Sequence, residues 1–181
     1  MKHLLIIFSL LLTSVSWSKD VNIKDLVERD GLLYEKFSNE PFTGNSTGLK
    51  QGKIKKGKIK GKWNEFWENG TLKKTYTLKK GKREGEHLMY YENGQLYKKT
   101  NYKDGETHGE LLMYYENGQL WNKVNYKDGK KEGEKFEYYE NGQLMFKTIY
   151  KNGKREGEFK SYHKNGKLWS NYIYKDGKVI E

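Results

Sequence analysis

Histidines and carboxylates are the residues through which this chain could do acid-base or metal chemistry, and their spacing argues against both. Beyond the N-terminal segment the histidines are His87, His108 and His163. None stands at metal-ligand spacing from another, and the chain has no cysteine, so a zinc-type site is not indicated. Each falls in a different slot of the repeat described below, which reads as surface or packing use. Glu86, Glu110, Glu134 and Glu158 recur beside glycine every 24 residues. That column reads as a charge ladder balanced by lysines rather than as catalytic carboxylates. Lys-Asp-Gly segments lack the acidic spacing of a calcium loop. There is no Gly-Lys-Ser/Thr loop and no nucleophile elbow. The inventory predicts a protein that is not an enzyme and uses no cofactor or metal.

What remains is chemistry of contact. The formal net charge is +11, and aromatic residues make up 15% of the chain against 34% for all hydrophobics. Lys99, Lys123 and Lys147 share one slot, and Lys103, Lys127, Lys151 and Lys175 share another. Such rows suit an anionic membrane surface, an acidic polymer or an acidic partner protein; equally, they keep a sheet soluble and its edges unpaired. Tyr97, Trp121, Met145 and Trp169 fill one variable slot, with Lys73 in the first unit. With the cross-strand residues Tyr90, Tyr114 and Tyr138 they form a candidate binding ladder. The same pairs would also hold a thin sheet together.

The elements that carry these residues are set by glycine. Five Asn-Gly pairs, from Asn69-Gly70 to Asn165-Gly166, stand 24 residues apart. Gly81, Gly105, Gly129, Gly153 and Gly177 keep the same period, as do Gly61, Gly85, Gly109, Gly133 and Gly157. Residues 61–181 thus read as five 24-residue units of an all-β, elongated, single-sheet antiparallel hairpin array. Asn-Gly between β-prone flanks predicts a two-residue type I′ turn. At Asn93-Gly94 that turn would set Tyr91 opposite Leu96 and Tyr90 opposite Tyr97. One face would then hold Gly85, Tyr91, Leu96 and Tyr102, the other Leu88, Tyr90, Tyr97 and Lys99. Two strands per unit at ~4.8 Å give a sheet roughly 48 Å long. Low hydrophobicity with high charge would ordinarily favour disorder, but in an array each repeat packs only on its neighbours and needs few aliphatics.

Residues 19–60 read as an entry segment with a degenerate, Lys-rich repeat. Asp20 to Asp30 is a short helix or a strand lead-in. Gly31–Tyr34 and Pro41–Gly44 read as a first strand pair. Lys178 to Glu181 finish the last strand without a separate cap, so an open edge is expected there. Residues 1–18 have the pattern of a secretory signal peptide: Lys2 and His3, an apolar run from Leu4 to Leu12, then Ser16 and Ser18 before a cut. Export follows, to the periplasm, the cell envelope or the medium, and it argues against nucleic acid as a partner.

Units of the form Gly-Glu…Tyr-Tyr-Glu-Asn-Gly-Gln-Leu…Tyr-Lys-Asp-Gly-Lys, preceded by Glu-Pro-Phe-Thr-Gly at 40–44, resemble the MORN-repeat variant of bacterial proteins. The resemblance covers about residues 31–181. Proteins of this type are often labelled YwqK-type antitoxins, and classical MORN repeats are associated with membrane attachment, scaffolding and dimerisation. The resemblance implies an interaction module whose partner is another protein, such as a toxin, or alternatively a membrane surface or wall polymer. It brings no catalytic residues. A signal peptide would separate the chain from a cytosolic toxin and leaves an inhibitor or immunity role in the envelope.

Overall fold

The computed structural model describes residues 18–181, so the segment read as a signal peptide lies, Ser18 apart, outside the described residues. The chain enters through β1 (Asp20–Asn22), a 3-10 turn (Ile23–Asp25), β2 (Leu26–Arg29), β3 (Leu32–Glu35) and β4 (Gly44–Thr47). The array proper begins with β5 (Lys50–Lys55), β6 (Lys58–Phe66), β7 (Leu72–Lys79), β8 (Lys82–Arg83) and β9 (Gly85–Tyr90). It continues through β10 (Leu96–Lys103), β11 (Glu106–Tyr114), β12 (Leu120–Lys127) and β13 (Lys130–Tyr138). It ends with β14 (Leu144–Lys151), β15 (Lys154–Tyr162), β16 (Leu168–Lys175) and β17 (Lys178–Val179). Among the described residues fifteen strands form one sheet that follows sequence order from β4 onward except that β7 pairs β9 with β8 beside it; β1 joins parallel to β4, the other pairings are antiparallel, and β2 and β3 pair apart from this sheet. Two strands per 24 residues is the expected architecture.

The Asn-Gly turns are not the two-residue type I′ turns expected, and type I′ turns stand instead at the second glycine series. At Asn93-Gly94 the Gly94 N–H donates to the Tyr91 carbonyl and the Tyr91 N–H to the Gln95 carbonyl. Only Gly94 has positive φ, +86°. This is a three-residue loop, a type I turn closed by a left-handed glycine, and the same pattern recurs at all five Asn-Gly sites. The type I′ turns lie at the opposite edge. Asp104 and Gly105 have φ of +52° and +92°, and Lys103 pairs directly with Glu106. The Asn side chain explains the exchange. Asn93 Oδ1 accepts from the Gln95 N–H at 2.8 Å, and Nδ2 reaches Glu116 of the next hairpin at 3.3 Å. The first of these bonds closes inside the hairpin and recurs at Asn69, Asn117, Asn141 and Asn165.

Register follows from the turns. The three-residue loop sets Tyr90 opposite Leu96, not opposite Tyr97. A bulge at Tyr97 then restores the expected pairing, Met89 with Lys98 through Gly85 with Tyr102. The expected register is therefore right along the strand body and wrong at the tip. Leu96 and Tyr97 exchange faces accordingly. The third glycine series supplies a second bulge: Gly109 (φ +80°) lies where Thr100 pairs with Leu111 but Tyr102 with Thr107.

The first face of the sheet carries His87, Thr100, Leu111, Val124 and Thr148 in one row, all buried. At its start the face is closed by Leu26, Phe42, Ile54 and Trp63, against which Ile23, Leu33 and Tyr76 pack. The entry segment is thus a hydrophobic cap. Its strand pair is β2 with β3 around the turn Asp30-Gly31; Pro41 contributes only an isolated bridge to Tyr34, contrary to the expected pairing of 31–34 with 41–44. Gly52 is required beneath Trp63, since a Cβ there would stand 2.6 Å from the indole.

Candidate functional site

Tyr97 is the bulged residue of its hairpin, and the variable slot is the bulge in every unit. Lys73, Trp121, Met145 and Trp169 each fall between the shifted pairs of their own hairpins. A bulged residue has no cross-strand partner to satisfy, so its side chain is free of the pairing rules that hold the Leu slot constant. Lys73, Tyr97, Trp121 and Trp169 are each set against the residue just after the preceding strand. The Tyr97 ring lies 5.0 Å from that of Tyr91, Trp121 5.8 Å from Tyr115, and Trp169 5.6 Å from His163. Lys73 Nζ sits 4.1 Å from the Trp67 ring, a cation–π contact.

This row runs along the edge formed by the Asn-Gly turns, one element every two strands, or about 10 Å. Open grooves form on it. One, of about 380 Å³, is bordered by Trp67, Lys73, Met89, Tyr91 and Tyr97. Another, of about 470 Å³, lies among Tyr139, Met145, Phe159, Trp169 and Tyr172. Trp169 is 69% exposed, the most open aromatic of the row.

The seven residues singled out from the sequence are not brought together as one ladder. Tyr97, Trp121, Met145 and Trp169 line the first face. Tyr90, Tyr114 and Tyr138 pair with Leu96, Leu120 and Leu144 and lie on the other. The physical reason is the bulge, which turns its residue toward the ring of the second tyrosine of each Tyr-Tyr pair. Those second tyrosines were missed as a set. Tyr91, Tyr115 and Tyr139 each donate a hydroxyl hydrogen bond to the carbonyl of Tyr114, Tyr138 and Tyr162 in the next hairpin, at 2.8–2.9 Å. Burial holds the Tyr91 and Tyr115 phenols above their ordinary pKa, so they remain donors at any physiological pH. The signal was the doubled Tyr in each unit, whose second member is one residue from the turn.

The second face is a charge lattice. Lys99, Lys123 and Lys147 pair with Glu86, Glu110 and Glu158 at 2.7, 3.4 and 3.6 Å. This lysine row is therefore spoken for. A hydrogen bond from Lys160 pulls the Glu158 carboxyl below its usual range. Glu84, Glu132 and Glu156 are structural as well: each carboxylate accepts from the backbone N–H of the type I′ turn one repeat on, at Asp104, Asn152 and Asp176. The lysines flanking those turns project along the opposite edge and are exposed. His87 is held neutral by burial, then by the cations Arg83, Lys74 and Lys98, which lower its pKa to about 4. Among the described residues no group of three or more His, Cys, Asp and Glu is placed to hold a metal, and no helix is long and apolar enough to cross a membrane.

The MORN repeat variant family matches residues 59–80, 83–104, 107–128, 131–152 and 155–180, more than half of the chain, and the chain belongs to that family. Its repeat is a non-catalytic interaction module for proteins or membranes. No curated protein matches the chain.

Proposed function

We propose, from membership of the MORN repeat variant family, that this chain is an exported, non-enzymatic repeat protein that binds another protein, as an antitoxin- or immunity-type inhibitor or as an envelope scaffold. The observation that carries the reading is the bulged slot. The Leu, Asn and Gly slots do the same structural work in every unit. The bulged slot holds Lys, Tyr, Trp, Met and Trp in turn on one face. A surface with fixed spacing and variable content is how repeat arrays tell partners apart. Large aromatics, two of them Trp, are the residues that anchor protein interfaces.

The test uses tagged residues 19–181 and the double variant Trp121→Ala, Trp169→Ala against envelope extract of the native host. A stoichiometric protein kept by the first and lost by the second is expected. A toxin encoded beside this chain would decide for the inhibitor. A partner retained equally by both, or none, would refute the face assignment.

A second reading, a membrane-surface or wall-polymer binder, is favoured by the exposed lysines of the type I′ edge together with the aromatic row. It requires that binding fall with salt, since exposed charge is screened within about 10 Å at 0.1 M.

A further inference from the structure

One type I′ turn differs from its copies. In the later repeats the turn glycine N–H donates back to the preceding repeat: Gly105 to the Arg83 carbonyl, Gly129 to Thr107, Gly153 to Lys131 and Gly177 to Arg155. The first residue of three of these turns donates to a glutamate, as described for Glu84, Glu132 and Glu156. The turn Lys56-Gly57 is satisfied by the cap: Lys56 donates to Thr43 Oγ1 and Gly57 to the Phe42 carbonyl. At Lys80-Gly81 neither N–H has a protein acceptor among the described residues. Lys60 stands in the slot of Glu84, 24 residues before it.

Lys80 shares with Lys56, one repeat earlier, a backbone that lysine rarely adopts. Its φ is +50°, in the left-handed region where Asn and Asp are favoured over Lys. Asp104, Asp128, Asn152 and Asp176 fill the same slot in the later units. The turn has thus exchanged its favoured acidic or amide residue, and the acid that caps it, for two lysines. Lys82, beyond the turn, lays its stem on Gly105 of the next one. Adjacent backbone N–H groups ringed by cations make an anion-binding concavity.

The structure assigns this turn as a binding site for a phosphate group, with the Lys80 and Gly81 N–H groups donating and Lys60 and Lys80 supplying charge. In the next repeat the Glu84 carboxylate shows where the anion sits: its Oε2 is 2.9 Å from the Asp104 nitrogen. The neighbouring turn carries Lys55, Lys56 and Lys58 about two strands, or ~10 Å, away. A chain of linked phosphates lying along this edge therefore meets both turns, which a lone anion cannot do. This gives the surface-polymer reading a site and a ligand class, and it stands apart from the protein-binding reading.

The experiment is a titration of residues 19–181 with long-chain inorganic polyphosphate, followed by amide NMR shifts, alongside Lys60→Glu. That variant restores the carboxylate found in the later repeats and is expected to cap the turn, keep or raise Tm, and weaken binding roughly tenfold at 0.15 M salt, one charge being reversed and the net charge changing by two. The Lys80 and Gly81 amides should move first. Binding with shifts elsewhere, or equal binding by Lys60→Glu, overturns the site while sparing the surface reading. No binding to polyphosphate but binding to anionic vesicles overturns the ligand class in favour of a lipid surface. No binding to either, with a wild-type protein that is folded, overturns both.

Discussion

Replacing His87 by leucine should remove most of the acid sensitivity of the second repeat. His87 is 5% exposed, between the rings of Tyr76 at 5.7 Å and Tyr102 at 5.8 Å, and its Nε2 has no hydrogen-bond partner. The charged groups around it are Arg83, Lys74 and Lys98, with Glu65 the one acid opposing them. Burial and these cations lower its pKa from 6.5 to about 4. In the window between those two values the unfolded chain binds a proton that the folded chain does not. Stability therefore falls as the pH falls through it. At pH 4 the loss amounts to about 3 kcal/mol relative to pH 7. Leu111 occupies the same slot one repeat later and is buried, so leucine fits the row. At pH 7 the variant should be as stable as the natural chain or better by about 1 kcal/mol, because an unpaired buried nitrogen is gone. Urea unfolding at pH 7 and pH 4 measures the difference. With a slope of about 2 kcal/mol/M, the midpoints of the two proteins should separate by roughly 1.5 M on acidification. Carboxylates acidify equally in both proteins and cancel. Equal losses in the natural chain and the variant would refute the burial argument.

Thr100 and Thr148 are buried to 1–2% exposure with unpaired hydroxyls, while Val124 fills the same slot between them; Thr100→Val and Thr148→Val should each stabilise by about 1 kcal/mol in thermal or urea unfolding. Gly52→Ala drives a Cβ into the Trp63 indole and should cost about 1–3 kcal/mol, read as a lowered Tm with lost near-UV signal from the cap. Tyr115→Phe removes the 2.8 Å bond to the Tyr138 carbonyl and should cost about 1 kcal/mol, with faster amide exchange at the tip of the next hairpin. Trp63→Ala should cost about 3–5 kcal/mol by opening the cap core.

The period, the strand count and the pairing along each strand body were legible in the sequence. Glycine at fixed intervals and alternation between the turns are local signals, and the side-chain period of a strand is local too. Asn-Gly named the tip turns as turns, and Asp-Gly named the others. Which pair takes which turn type was not legible. It goes with an acceptor inside the hairpin: the Oδ1 of Asn69, Asn93, Asn117, Asn141 and Asn165 each accepts from the N–H two residues on. The face of Tyr97 was lost with it, because one extra residue in the loop and one bulge cancel in the register but not in the side-chain direction.

The candidate site shows the same division. Trp121, Met145 and Trp169 were visible as a variable slot, yet their separation from Tyr114 and Tyr138 depends on the bulge. Sequence alone determined that this is a repeat array built on hairpins, since strand length, turn position and repeat length are properties of consecutive residues. Tertiary structure decided which side chains share a face, which lysines are paired and which turn lacks its acceptor. Those are hydrogen bonds and contacts between neighbouring repeats, and they exist only once one hairpin has been laid against the next.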